Sequence, residues 1–261
     1  MTRRGFLATA PLWAADAATM ALLQRAIAHD DANLERMRSY VFGVNDVFRS
    51  IHEPMISQSY EVNLIRGGMY WRRLTENGQP LNAELAAAEQ TRLRAHLRTA
   101  SSQTQAKWRE ERDVLSRWVA AHRFRTTGRK RIEGRDAILV ETKPGGEYAG
   151  DLAYLATAHG KLAIDQETGH WLSAEFEIYG HTRYAMFQLL YGRLSLPYSV
   201  GLINRANLPS RAKLSFGLRL TADGLWVPRF QLIEAKEYRS TLTFSEFRRF
   251  TSESQLLLDP A

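Results

Sequence analysis

Seven histidines, the glutamates Glu175 and Glu177, and a crowd of arginines around Phe124 are the side chains of this sequence that could do chemistry. A zinc hydrolase needs two histidines one helical turn apart with a glutamate beside the first, so that imidazoles and base share a face. His29, His52, His96, His122, His159, His170 and His181 show no such spacing. His170 and His181 could converge across a hairpin, but satisfied surface histidines are the simpler reading. Glu175 and Glu177 fall on one face of a strand and could pair as acid and base, as in a glycosidase. Two solvated carboxylates on the outer side of a sheet explain them equally well and more economically. There is no Gly-x-Ser-x-Gly elbow and no phosphate-cradling glycine loop, so serine-hydrolase and nucleotide chemistry fall together. No catalytic residue, metal ligand set or cofactor is expected.

Arg123, Arg125, Arg129, Lys130, Arg131 and Arg135 resemble a nucleic-acid patch in composition. The formal charge of +7 extends the same bias to the whole chain. Anionic lipid headgroups or an acidic protein surface would use the same charges. The front of the chain argues for those partners and against nucleic acid. Thr2-Arg3-Arg4-Gly5-Phe6-Leu7 reads as a twin-arginine export signal, followed by a mildly apolar run and the small-residue site Ala15-Asp16-Ala17. Cleavage is expected after Ala17, and the mature protein is expected in the periplasm. Cysteine is absent, which excludes disulfides, a thiolate nucleophile and a lipid-modified N-terminal cysteine. No apolar stretch approaches the roughly 18 residues of a membrane span. The expectation is a monomer that does not cross the membrane and whose partners are lipid or lipoprotein acyl chains, with an inner- or outer-membrane protein as a further partner.

The 261 residues, 44% of them hydrophobic, suit one domain over 18–261. Leu22, Leu23, Ala26, Ile27, Leu34 and Met37 recur at helical period from Thr19 to Arg38, with an interruption suggested near Asp30-Asp31. The period then falls to two in Tyr40–Val47, Tyr60–Ile65 and Met69–Leu74, with Gly67-Gly68 between the last pair. From about 82 to 122 there is no glycine or proline, which predicts a helical insertion with a break at Thr99–Thr104. Strand signals follow: Phe124–Ile132 with Ala137–Thr142, Lys161–Asp165 with Trp171–Tyr179, then Lys213–Leu220, Leu225–Glu234 and Tyr238–Phe247. Tyr184–Leu202 reads as a core strand pair, with a flap or partner contact as the alternative. The fold class is therefore α+β: a strongly curved antiparallel sheet, or half-barrel, with amphipathic helices packed on its concave side.

In order and texture the chain resembles the outer-membrane lipoprotein carrier (LolA-like) superfamily. The resemblance rests on Tyr40-Val41-Phe42, Glu61-Val62 before Gly67-Gly68-Met69-Tyr70, and Asn77-Gly78-Gln79-Pro80-Leu81. Gly160–Asp165 with Thr168-Gly169, Asp223-Gly224-Leu225-Trp226-Val227-Pro228 and the closing Phe244–Phe250 complete it. It implies a periplasmic, chaperone-like transport protein that shields acyl chains in a dry cavity between sheet and helices. An arginine holds the lid in such carriers, and Arg49, Arg66, Arg72 and Arg73 are the candidates here. The insertion at 82–122 departs from the family pattern and puts lipoprotein handover in question.

The apolar ligand face expected from the later strands comprises Leu172, Phe176, Ile178, Leu214, Phe216, Leu218, Phe230, Leu232, Leu242 and Phe244. Leu93, Leu97, Trp108, Leu115 and Trp118 are the expected lid. Close packing of these side chains, with no void, is the competing structural expectation. The competing functional classes are a sensor or interaction module on the same fold and, third, a hydrolase.

Overall fold

The computed structural model describes residues 17–52, 54–65, 68–99, 118–146, 148, 156–179 and 211–249. The expected export signal, Arg66, Trp108, Leu115, His181 and the Tyr184–Leu202 stretch fall outside the described residues, as does the side chain of Ile178.

The first helix, α1, spans Ala17–Met37. Leu22, Leu23 and Ala26 recur on one of its faces and are buried. It runs unbroken through Asp30 and Asp31, where the sequence suggested an interruption. Tertiary anchors on either side override the weak local propensity. Thr19 Oγ1 lies 2.9 Å from Thr126 Oγ1 near the start. Near the end, the Asn33 amide donates to the Trp226 carbonyl at 2.6 Å and accepts from the Trp226 N–H at 2.8 Å.

Strands β1 (Tyr40–Ser50), β2 (Ile56–Ile65), β3 (Gly68–Glu76) and β4 (Gln79–Pro80) come next, followed by helix α2 (Ala83–Thr99). The rest of the chain supplies β5 (His122–Ile132), β6 (Arg135–Pro144), β7 (Ala158–Asp165), β8 (Trp171–Tyr179), β9 (Arg211–Leu220), β10 (Trp226–Ala235) and β11 (Tyr238–Arg249). Within the expected insertion, Ala83–Thr99 and residues 118–121 are helical, residues 100–117 lie outside the described residues, and strand begins at His122, two residues before the sequence placed it. The eleven strands of the described residues form one antiparallel sheet in the order β4-β3-β2-β1-β11-β10-β9-β8-β7-β6-β5. β11 pairs with β1, so the first and last described strands are neighbours in mid-sheet. Among the described residues the sheet is open, with β4 and β5 at its edges.

Asn77 and Gly78, with φ of 51° and 76°, form a two-residue turn of the kind that matches strand twist. Glu133 and Gly134 do the same between β5 and β6, with φ of 49° and 82°. A glutamate in that left-handed region costs about 1–2 kcal/mol, so something must hold it there.

Helix α2 is capped by Asn82, whose Oδ1 accepts the Leu85 N–H at 2.9 Å. It then covers the free edge of β3. Arg92 donates to the Trp71 carbonyl, and a His96 ring nitrogen sits 3.2 Å from the Ile65 carbonyl. The Tyr70 hydroxyl donates to Glu89 at 2.5 Å. An edge strand left bare would invite pairing with another chain, and these contacts occupy it.

The main core gathers on one face of the sheet. Phe42, Val44, Val62, Trp71, Phe124, Val140, Leu162, Phe176, Leu214 and Leu242 are buried there with the apolar face of α1. Ala137, Ala163, Leu172 and Trp226 form a smaller cluster joined by Leu139 and Ile132. Leu139 pairs with Ala163, and both alternate with the main-core residues Val140 and Leu162, so the smaller cluster belongs to the opposite face.

Candidate functional site

The tip of the β5–β6 hairpin is tied to strands several places away in the sheet. Glu133 forms an ion pair with Arg229 on β10. That contact supplies the restraint the strained turn requires. Arg135 donates to Asp165 at 3.1 Å and to Glu167 at 3.0 Å, and its guanidinium lies 5.4 Å from the centre of the Trp226 ring. Burial would push the Asp165 carboxyl up, but the Arg135 guanidinium and the Thr168 N–H and hydroxyl hold it below the usual carboxylate range. This ion pair is therefore fixed in its charged form at neutral pH.

Between the tip and the strands lies a cavity of about 560 Å³. Its walls include Leu172 and Glu175 from β8, Ser215 and Leu218 from β9, and Trp226 and Phe230 from β10. Register explains the arrangement. Ser173 pairs with Gly217, and Gly217 with Phe230, so these residues share the face opposite the main core. A Cβ at Gly217 would stand 2.6 Å from Phe230 Cε1, so only glycine lets that ring lie across β9. Arg135, Arg219 and Arg229 bring three guanidinium groups to the cavity. Two are committed to carboxylates, whereas Arg219 has no acidic partner among the described residues. Glu175 is 3.5 Å from Lys213 Nζ. Apolar surface with a few placed polar groups in a space of this size suits a small amphiphile.

A domain assigned to outer-membrane lipoprotein sorting from Vibrio parahaemolyticus is similar to this chain, at 11% identity, covering 88% of this chain and 94% of that one with a TM-score of 0.37. A LolA superfamily protein from Nitrosomonas europaea is 11% identical, with 92% and 96% covered and a TM-score of 0.35. A chain of the MucA/MucB complex from Pseudomonas aeruginosa is 12% identical, with 90% and 100% covered and a TM-score of 0.27. No family profile and no curated protein matches the chain. At these identities and TM-scores nothing about ligand or activity passes from those structures to this one.

The ten side chains of the expected ligand face do not share a face. Phe176, Leu214, Phe216, Leu242 and Phe244 are buried in the main core. Leu172, Phe230 and Leu232 belong to the other side, a correction to the alternation read from the sequence. Leu172 turns over at an irregularity where Ala163 pairs with Ser173 but Ile164 with Trp171. On β10 it is Gln231 and Ile233 that pair with the core positions Phe216 and Leu214, leaving Phe230 and Leu232 opposite. Leu218 is half-buried and packs against both clusters. The backbone of Ile178 pairs with Ala158 and Ala212. Four expected residues, Leu172, Phe216, Leu218 and Phe230, line the cavity.

Of the expected lid, Leu93 and Leu97 are half-buried on α2 beside β3. Trp118 is 1% exposed and packs edge-on against Phe124 and Phe176, at ring distances of 5.3 and 5.8 Å. Of the lid arginines, Arg73 bonds Glu76 at 2.8 Å on its own strand. Arg72 stands 4.0 Å from Glu61. Trp226, Arg219 and Arg229 were missed by the sequence reading, which named Arg135 only as part of the basic hairpin. Gly217, a glycine inside an apolar strand, was the one local signal for a close approach there.

Two histidines are neutral because of where they sit. Burial pushes His122 down to about 4, with its ring between Tyr148 and the Ala158 carbonyl. Burial first, then the neighbouring His29, pushes His170 down to about 4. The rings of His29 and His170 stack at 4.8 Å, and His170 stacks on Trp226 at 5.2 Å. Stacked imidazoles do not converge on a metal, and no group of three or more ligating side chains occurs among the described residues.

Proposed function

We propose that this protein is a non-enzymatic periplasmic carrier or binding protein for a lipid-like ligand, exported by the twin-arginine route and built as a half-barrel. The observation that carries the reading is the cavity of about 560 Å³ under the β5–β6 tip, which combines apolar walls with guanidinium groups. Leu172, Leu218, Trp226 and Phe230 would take the hydrocarbon, and Arg219 an anionic head. Burying about ten methylenes at about 0.8 kcal/mol each gives on the order of 8 kcal/mol before binding costs, hence micromolar affinity at best. Transfer from one site to another needs affinity that loose.

The test is titration with N-phenylnaphthylamine, an apolar dye whose fluorescence rises on burial, followed by displacement with dodecanoate. Wild type should bind the dye and release it to dodecanoate, and Ser215→Trp, which fills the cavity, should do neither. Equal binding by the two proteins would overturn the reading. A second reading is favoured by the exposed row Arg129, Lys130 and Arg131 on β5, in which the same fold docks on the acidic surface of a partner. A protein of that kind would bind neither dye nor dodecanoate.

A further inference from the structure

Strand β5 carries Arg123, Arg125, Arg129, Lys130 and Arg131 and no carboxylate. Its outer edge has no strand partner among the described residues. Register sets where the cations point. Phe124 pairs with Thr142 and is buried in the main core, so Arg123 and Arg125 take the opposite face. An extra residue between Thr126 and Gly128 then shifts the alternation. Beyond it Arg129 pairs with Ile138, which packs against the main core, while Lys130 pairs with Ala137 of the smaller cluster. Cations therefore flank the edge on both faces. A molecule lying on either face would meet only some of them, whereas a surface brought up against the edge meets them together.

Arg129, Lys130 and Arg131 are exposed. Of the carboxylates on the hairpin, Glu141 is held by Arg125 at 2.7 Å and Glu133 by Arg229, which leaves Asp136 opposite Arg131. From His122 to Pro144 seven cations outnumber three carboxylates, so more than half of the chain's formal charge of +7 sits on this hairpin. Lysine and a bulge on an edge strand oppose pairing with another strand. Protein interfaces are anchored by aromatic and other large side chains and are poor in lysine. The exposed run Thr126–Arg131 holds only threonine, glycine and cations. Lipid headgroups need no anchor of that kind, only positive charge within a Debye length.

We propose that β5 lays its outer edge against an anionic lipid bilayer and so brings the cavity at the hairpin tip to the membrane. Ile132, next to Arg131, lines that cavity, so the basic strand runs directly into its wall. The choice of a bilayer over an acidic protein rests on the carrier reading, since a lipid carrier exchanges its cargo with membranes.

The experiment is cosedimentation of the full chain with vesicles of phosphatidylcholine, alone or with about one part in three of phosphatidylglycerol. Wild type should bind the mixed vesicles at least about tenfold more tightly, and lose the preference at about 1 M salt, where the Debye length falls to about 3 Å. Arg129→Gln/Lys130→Gln/Arg131→Gln should bind the mixed vesicles about a hundredfold more weakly, at about fivefold for each cation near an anionic surface. The same charge removed from exposed positions on α2 and the β10–β11 turn, as Arg94→Gln/Arg98→Gln/Lys236→Gln, should cost less than about fivefold. The chain has no cysteine, so Thr127→Cys and Ile51→Cys each accept a single environment-sensitive nitrobenzoxadiazole label. The label at 127 should brighten on mixed vesicles and the label at 51 should not. Equal losses in the two triple variants, or brightening at 51 alone, would overturn the proposal. Wild type that ignores the mixed vesicles but binds polyglutamate would also overturn it, in favour of an acidic protein partner. If wild type exchanges N-phenylnaphthylamine for dodecanoate but does not sediment, the docking strand fails and the carrier reading stands. Sedimentation through β5 by a protein that takes no dye would support the docking strand and overturn the carrier reading alone.

Discussion

Asp46→Asn should change how the stability of this protein depends on pH, and the size of the change follows from the burial of one carboxyl. Its titration moves from 3.8 to about 6 on folding, because burial disfavours the charged form and the Ser240 hydroxyl offsets this only partly. The folded state therefore holds the Asp46 proton more tightly than the unfolded state. Above pH 6 the folded protein carries a buried charge that costs it about 3 kcal/mol, at about 1.36 kcal/mol per pH unit. As pH falls from 6 to 3.8 the cost is relieved, so this residue makes the protein more stable in acid.

His122 and His170 act in the opposite sense across nearly the same range, so the wild-type curve alone is not diagnostic. The difference between wild type and Asp46→Asn isolates the carboxyl. Urea denaturation at pH 4 and pH 8 should show a wild-type advantage at pH 4 that shrinks or reverses at pH 8, with a total swing of about 3 kcal/mol. Parallel curves for the two proteins would refute the reasoning and show that Asp46 is solvated or paired in solution.

His122→Gln should remove an acid-sensitive weakness: a buried histidine pushed from 6.5 down to about 4 favours folding fully above pH 6.5, and about 3 kcal/mol of that is lost as pH falls to 4. The variant's urea midpoint should accordingly fall less than that of wild type between pH 7 and pH 4, and an equal fall would count against a buried neutral imidazole. Asn33→Ala should cost about 2–3 kcal/mol in urea, because it strips both hydrogen bonds from the Trp226 backbone and leaves a buried N–H unpaired. A loss below about 0.5 kcal/mol would show that this end of α1 is not held by Asn33.

The strands were legible in the sequence because alternation and turn dipeptides are local signals. Asn77-Gly78, Thr168-Gly169 and Asp223-Gly224 lie at turns where they were expected, and each of these glycines has a positive φ. Facing was legible only where one parity is apolar. On β8, Ala174 and Phe176 alternate with Ser173 and Glu175, and the structure agrees. On β10, Val227 and Ile233 compete with Phe230 and Leu232, so both parities look apolar and only pairing with β9 and β11 decides between them. Leu172 was misread for a different reason: an irregularity in pairing shifts it, and alternation cannot detect an extra residue.

The cavity could not be read in advance. It depends on Glu133 and Arg135 reaching β10, which in sheet order stands four strands from β6. Contacts of that kind leave no periodic trace. Asp46 shares the parity of Phe42, Val44 and Phe48, so alternation alone places it inward, but nothing local tells whether a carboxyl there has partners.

Mass spectrometry of lipids extracted from protein purified without detergent tests the carrier reading most directly. Wild type should retain acyl species in less than equimolar amount, and Ser215→Trp prepared alongside it should retain none. Wild type free of acyl species, or a variant carrying as much as wild type, would contradict it.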